Sequence, residues 1–173
     1  MQYNYLTSLL GIQGFKVKHI EHTHRKGRSA VILDLERTKE GYHCGGCGQV
    51  VETGYDNSEL EVQHLSWWEH LTFLRFRRYR VKCPHCGIRT EALSFVDIRG
   101  PRVTKHLCYL VGELCKVMTN HGVAIFQALH RHTVKAIDKR ILRETQASRP
   151  LEGITVLRVD EISNGNGQPT YIW

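Results

Sequence analysis

The spacing of apolar positions predicts strands in the first half of the chain and helices in the second. Apolar and polar residues alternate over 15–23 and 29–38, on either side of the turn-prone sequence Arg-Lys-Gly-Arg, which predicts a β-hairpin. Further short strands are predicted at 50–53, 60–64 and 71–81. From Arg102 the period becomes helical and predicts an amphipathic helix of about 17 residues, followed by helices near 121–129 and 131–147.

The charge of the chain is concentrated in the predicted helices. The 173 residues carry a formal charge of +7, and segment 99–150 holds ten basic and three acidic side chains, which equals that whole excess. A basic segment of this size indicates a polyanionic partner, most often nucleic acid; the alternative is a basic helix face that serves solubility. An apolar content of 41% excludes wholesale disorder. The absence of a long apolar run and of a signal peptide predicts a cytoplasmic protein with no membrane partner.

Four of the six cysteines form two closely spaced pairs, Cys44-Gly-Gly-Cys47-Gly and Cys83-Pro-His-Cys86-Gly. In an intracellular chain such pairs are typical of metal ligands, and four thiolates complete a tetrahedral, structural Zn²⁺ site with no open position. The 35 residues between the pairs require the intervening strands to pair before the site closes. The alternatives are unligated cysteines in turns and a redox pair.

The sequence 120–140 has the pattern of a DNA-binding helix-turn-helix. Ala124 is small where two helices would cross, and Val123, Leu129, Val134 and Ile137 have the spacing of its buried contacts. The outer surface of the second helix would present side chains suited to base edges and phosphates: Arg131, His132, Thr133, Lys135, Lys139, Arg140 and Arg143. The alternative is an ordinary helical hairpin with a basic face.

A second basic cluster lies on the predicted strand 71–81. Arg75, Arg77 and Arg78 alternate with aromatic residues there and would touch backbone phosphates, or would equally form a solvated strand face. The neighbouring Trp67 and Trp68 are predicted to be packing residues rather than a base-stacking platform.

The order of these features resembles one family. Near the end of the chain a predicted strand, 156–160, ends in Asp160-Glu161, as the first strand of an RNase H-like metal site does. Hairpin, CGGCG…FRRYRVKCPHCG, GVAIFQALHRHTVKAIDKR and LRVDEIS together resemble the N-terminal part of bacterial transposases of the ISL3 family, from about Leu9 to Trp173. The resemblance implies that the four paired cysteines hold zinc, that Asp160 is the first catalytic acid, and that Mg²⁺ serves a full-length parent. It also implies double-stranded DNA with terminal inverted repeats as the partner, and a possible homo-oligomer.

The predicted fold class is α+β, with a small zinc-ribbon domain, a helix-turn-helix domain and a truncated RNase H-like β-hairpin. The predicted segments are 1–40 (helix and β-hairpin), 41–98 (four-cysteine zinc ribbon), 99–150 (helix-turn-helix) and 151–173 (start of the truncated domain). Because only the first catalytic acid falls within 173 residues, we expect DNA binding without cleavage. The competing functions are a stand-alone zinc-ribbon/helix-turn-helix transcription regulator and a zinc-stabilised protein-interaction module.

Overall fold

In the computed structural model of the chain, residues 4–38, 41–146, 162–164 and 168–170 are described. The chain divides into two compact units, Met1–Ile141 and Leu142–Trp173. In the second unit, strands β8 (Ile162–Asn164) and β9 (Gln168–Thr170) pair antiparallel. The predicted strand 156–160 lies outside the described residues.

The first unit is built on one sheet formed by two β-hairpins. Strands β1 (Phe15–Arg25) and β2 (Arg28–Arg37) form the first hairpin. The short strands β3 (Tyr42–His43) and β4 (Val50–Val51) pair separately, and β5 (Gly54–Trp67) and β6 (His70–Cys83) form a second, longer hairpin. The order is β1-β2-β6-β5, and β7 (Gly87–Thr90) pairs with the end of β6. The sheet therefore continues across the segment boundary expected near residue 40.

A parallel contact joins the two hairpins. Strand β2 pairs with β6 over Ala30–Asp34 and Leu71–Arg75, which places β2 in the interior of the sheet. One face buries Val31 and Leu33 with residues from α1 (Asn4–Leu10) and from β6, and the other face buries Ala30 and Ile32. Because both faces are covered, these consecutive apolar residues are all buried, as expected for an interior strand that pairs in parallel with its neighbour.

Three helices follow the sheet, at α2 (Lys105–Cys115), α3 (Asn120–Phe126) and α4 (Arg131–Gln146). The hydroxyl oxygens of Thr104 and Thr119 accept the backbone N–H of residues three positions later and so begin α2 and α3. The predicted interior is confirmed for four positions, since Val123, Ala124, Val134 and Ile137 are buried in one cluster with α2. Among the described residues, no helix is long and apolar enough to cross a membrane.

Candidate zinc centre and nucleic-acid interface

The two cysteine pairs meet at one point. The sulfur atoms of Cys44, Cys47, Cys83 and Cys86 all lie within 4.8 Å of one another, and 3.6 Å separates those of Cys47 and Cys83. Tetrahedral zinc with bonds of about 2.3 Å keeps its ligand atoms roughly 3.8 Å apart. The donor set and its spacing fit structural zinc, and the four predicted ligands are the ones the fold brings together.

The turns that carry the sulfurs depend on glycine. Gly48 and Gly87, each directly after the second cysteine of its pair, have φ angles of +77° and +70°, which disfavour other residues. At Gly46 a Cβ would approach the Cys86 sulfur to 3.1 Å, and its N–H donates to the Cys44 sulfur over 3.4 Å. Any side chain at Gly46 would therefore press on the ligand opposite.

The long hairpin β5–β6 closes the gap of 35 residues. Strand β5 leaves the first cysteine turn and β6 returns, so that Gly54 lies opposite Val81, two residues before Cys83. The first turn is fixed to β7 by the hydrogen bond from the N–H of Gly45 to the carbonyl of Thr90, 3.0 Å. The expected pairing of the intervening strands is confirmed.

The electrostatics of the four sulfurs favour a bound cation. Hydrogen bonds from the backbone N–H groups of Cys47 and Gly46 lower the pKa of Cys44 to about 7. A hydrogen bond with Cys47, and to a smaller extent burial, raises the pKa of the Cys86 thiol to about 12. One thiolate forms readily and its charge opposes ionisation of the next, so a divalent cation is needed to hold four thiolates together.

Helix α4 has one buried and one cationic face. Val134 and Ile137 point into the helical core, whereas an exposed face carries four basic side chains, Arg131, His132, Lys135 and Lys139. Thr133 is half-buried, and Arg143 is exposed in the last turn. The first turn of α4 contains no acid, so the positive end of the helix dipole adds to these charges.

The turn between α3 and α4 is held by donors from both hairpins. Three consecutive carbonyls, those of Phe126, Gln127 and Ala128, accept hydrogen bonds from Arg28 Nη1, Gln63 Nε2 and Lys26 Nζ respectively. Ala128 has a φ of +50°, the left-handed conformation that turns of this kind require, and it packs on the sheet. The turn is thereby fixed to the sheet.

Two of the residues predicted to contact DNA have internal partners. The guanidinium nitrogens of Arg75 lie 3.1, 3.3 and 3.4 Å from carboxylate oxygens of Glu21, Asp34 and Glu61 respectively. Arg140 forms an ion pair with Asp97. The acids lie far from these arginines in the sequence, so no local pattern could reveal them.

The remaining predicted residues lie in different settings. Arg77 is exposed and Arg78 half-buried on β6. Trp67 packs against the core of the sheet, but the expectation for Trp68 is wrong, because its side chain is 88% exposed. Asp160 lies outside the described residues.

Comparison with known proteins agrees with this geometry. Residues 40–86, which include all four candidate ligands, match the family model described as the zinc-finger of transposase IS204/IS1001/IS1096/IS1165. Over 163 residues the chain is 31% identical to the transposase for insertion sequence element IS1001 of Bordetella parapertussis. This match covers 94% of this chain and 40% of that relative. The chain thus spans less than half the length of this relative. No solved structure matches.

Proposed function

Since the chain belongs to the ISL3 family of insertion-sequence transposases, we propose that it binds double-stranded DNA and recognises the terminal inverted repeats of its element. The observation that carries the proposal is the exposed face of α4, where Arg131, His132, Lys135 and Lys139 lie opposite buried residues of the same helix. A helix of this kind, entered through a tight turn, suits the major groove.

The two ends of α4 would have different tasks. Arg131, His132 and Thr133 lie in the first turn, where the side chains of a recognition helix reach base edges. Lys139 and Arg143 lie two to three turns later and would contact phosphate, which adds affinity without sequence preference. Discrimination between sequences is therefore expected from the start of the helix.

The zinc centre would stabilise the cysteine turns and take no part in DNA cleavage. Four cysteines leave no position open for a substrate. They lie where β6 ends at Cys83, whereas the α3–α4 turn is held at the opposite end of the sheet, beside the start of β2 and β6. The complete transposition reaction is proposed for a full-length parent protein. Its proposed place is the bacterial cytoplasm, where the DNA of such elements lies.

Binding should be measured by fluorescence anisotropy with the zinc-loaded chain. The probes are a duplex of about 40 bp from the end of the encoding element, long enough for several helical turns, and a scrambled duplex of equal composition. Arg131→Ala should weaken binding to the native end by about 5- to 150-fold, which corresponds to about 1–3 kcal/mol, and should relax specificity. Lys139→Ala should weaken both probes equally and reduce the salt slope by about 1.

The matched control is Lys116→Ala, at the C-cap of α2, because the Lys116 ammonium already pairs with Glu113 at 2.7 Å. It removes the same charge and should leave both affinities unchanged. Equal binding of native and scrambled ends at physiological salt would contradict repeat recognition. Binding that depends little on salt would favour a protein-interaction module, since about six phosphate contacts cost roughly 10³-fold in affinity between 50 and 200 mM salt.

A further inference from the structure

The tip of the β5–β6 hairpin displays a strained tryptophan to solvent. Trp68 occupies the turn between Trp67 and His70, with a φ of +52° and a side chain that is 88% exposed. A bulky residue at positive φ is uncommon, and turns of this kind favour glycine or asparagine. Residues held in such conformations cluster at functional sites. Packing does not explain the choice of tryptophan here.

Trp68 forms one wall of a groove between the hairpin tip and the helices. This hairpin-tip groove has a volume of about 660 Å³, and its lining includes Trp68, Lys105, His106, Tyr109 and Phe126. Tyr109 and Phe126 are 70% and 59% exposed, so three aromatic rings face solvent around one cavity. Its volume lies in the range of ligand sites, about 300–1,000 Å³.

The charges of the groove select among possible occupants. Lys105 and His106 are the ionisable side chains of its rim besides Tyr109, and no carboxylate is among the described residues that line it. Asp97, whose carboxylate lies 3.8 Å from the Lys105 ammonium, is not part of the lining. Aromatic walls with a lysine at the rim complement a flat ring attached to an anion. A second copy docked symmetrically would instead bring like charges together.

We propose that the hairpin-tip groove takes an unpaired base of bound DNA, stacked on Trp68, with the adjoining phosphate near Lys105. The inference rests on the proposed duplex binding, because the groove includes Phe126 and Gln127, which belong to the α3–α4 turn that leads to Arg131. A base inside a duplex is covered by its neighbours, so only an unpaired or extruded base can reach such a wall. Stacking on an aromatic ring is sequence-tolerant.

The test compares a perfect duplex with duplexes that carry one unpaired adenine, replaced by 2-aminopurine. The unpaired base is moved in steps of two base pairs, so that one probe reaches the groove. The zinc-loaded chain should bind that probe more tightly than the perfect duplex and quench the 2-aminopurine. Trp68→Ala should remove this preference, about 5- to 150-fold, and leave the perfect duplex unaffected. Trp68→Phe should retain most of the preference.

Tyr55→Ala is the matched control, because Tyr55 is an exposed aromatic residue at the opposite end of the same hairpin. It should leave the preference unchanged. Equal affinity for all probes, with duplex binding intact, would overturn this inference alone. Failure to bind any duplex would overturn the proposed function as well. A Trp68→Ala variant that keeps the preference but changes sedimentation from dimer to monomer would identify the groove as an interface between copies and overturn its assignment to DNA.

Discussion

Removal of Arg37 is expected to destabilise the fold more than the loss of any surface charge. Arg37 ends β2, and its guanidinium pairs with Glu91, which is 1% exposed. Glu91 also accepts the backbone N–H of Tyr79 over 2.8 Å, and the guanidinium lies 4.7 Å from the ring centre of Tyr42. The pair connects β2 with the strands that lead into both cysteine turns.

The magnitude follows from the burial of Glu91. Arg37→Ala leaves a buried carboxylate with a single neutral donor, a change that costs about 3–5 kcal/mol, against a total stability of about 5–15 kcal/mol for a domain. Arg37→Met combined with Glu91→Gln removes both charges and keeps an acceptor for the N–H of Tyr79. We expect the double variant to recover most of the lost stability, because the desolvation of two ions disappears with them.

The free energy of unfolding should be measured by urea titration in excess zinc, with tryptophan fluorescence as the signal. Arg80→Ala provides the control, since it breaks an exposed pair with Asp56 and should cost less than about 1 kcal/mol. The reasoning would be refuted if Arg37→Ala cost no more than Arg80→Ala, or if the double variant were as unstable as the single one.

Two further predictions concern zinc and pH. Cys83→Ser should abolish stoichiometric zinc binding and expose the amides of both cysteine turns to hydrogen exchange, while the amides of β6 that pair with β2 stay protected. The control, Cys115→Ser, lies away from the cluster and should keep the metal. Loss of protection throughout the sheet would contradict the local role of zinc. Burial, and to a smaller extent repulsion from His106, lowers the pKa of His64 to about 4. The free energy of unfolding should therefore reach its full value above about pH 6.5 and fall by up to about 3 kcal/mol as the pH approaches 4. In urea titrations His64→Gln should lose less stability than the wild type over this range, a comparison that removes the common effect of zinc release; parallel pH profiles would be inconsistent with a buried neutral imidazole.

Local patterns in the sequence predict the elements of this fold well. Alternation predicts the first hairpin, and the turn at Lys26-Gly27 has the two positive φ angles, +53° and +72°, that its sequence suggests. The cysteine spacing predicts the four ligands that the fold brings together, because two residues between thiols define a turn whatever the distant fold. These features depend on neighbours within a few residues.

Features that depend on distant residues could not be predicted in the same way. The parallel pairing of β2 with β6 joins segments that lie far apart in the sequence, Ala30–Asp34 and Leu71–Arg75, and its one local signal is the uninterrupted apolar run at Ala30–Leu33. The prediction that Trp68 packs is wrong because a two-residue turn leaves its side chain no interior to enter. The missed groove beside it requires three elements that only the folded chain assembles.

The same distinction decides how much of the positive charge serves DNA. Several cations that contribute to the net charge of +7 are engaged by internal acceptors in the fold: Lys26, Arg28, Arg37, Arg75, Arg80 and Arg140. Two of these, Lys26 and Arg28, bind the carbonyls of the α3–α4 turn, where the negative end of the α3 dipole favours cations. In the proposed function they therefore contribute to DNA binding indirectly, because they fix the direction in which α4 leaves the sheet. On the exposed face that begins at Arg131, four basic side chains share one orientation, and for that reason the proposed interface rests on one helix rather than on the net charge.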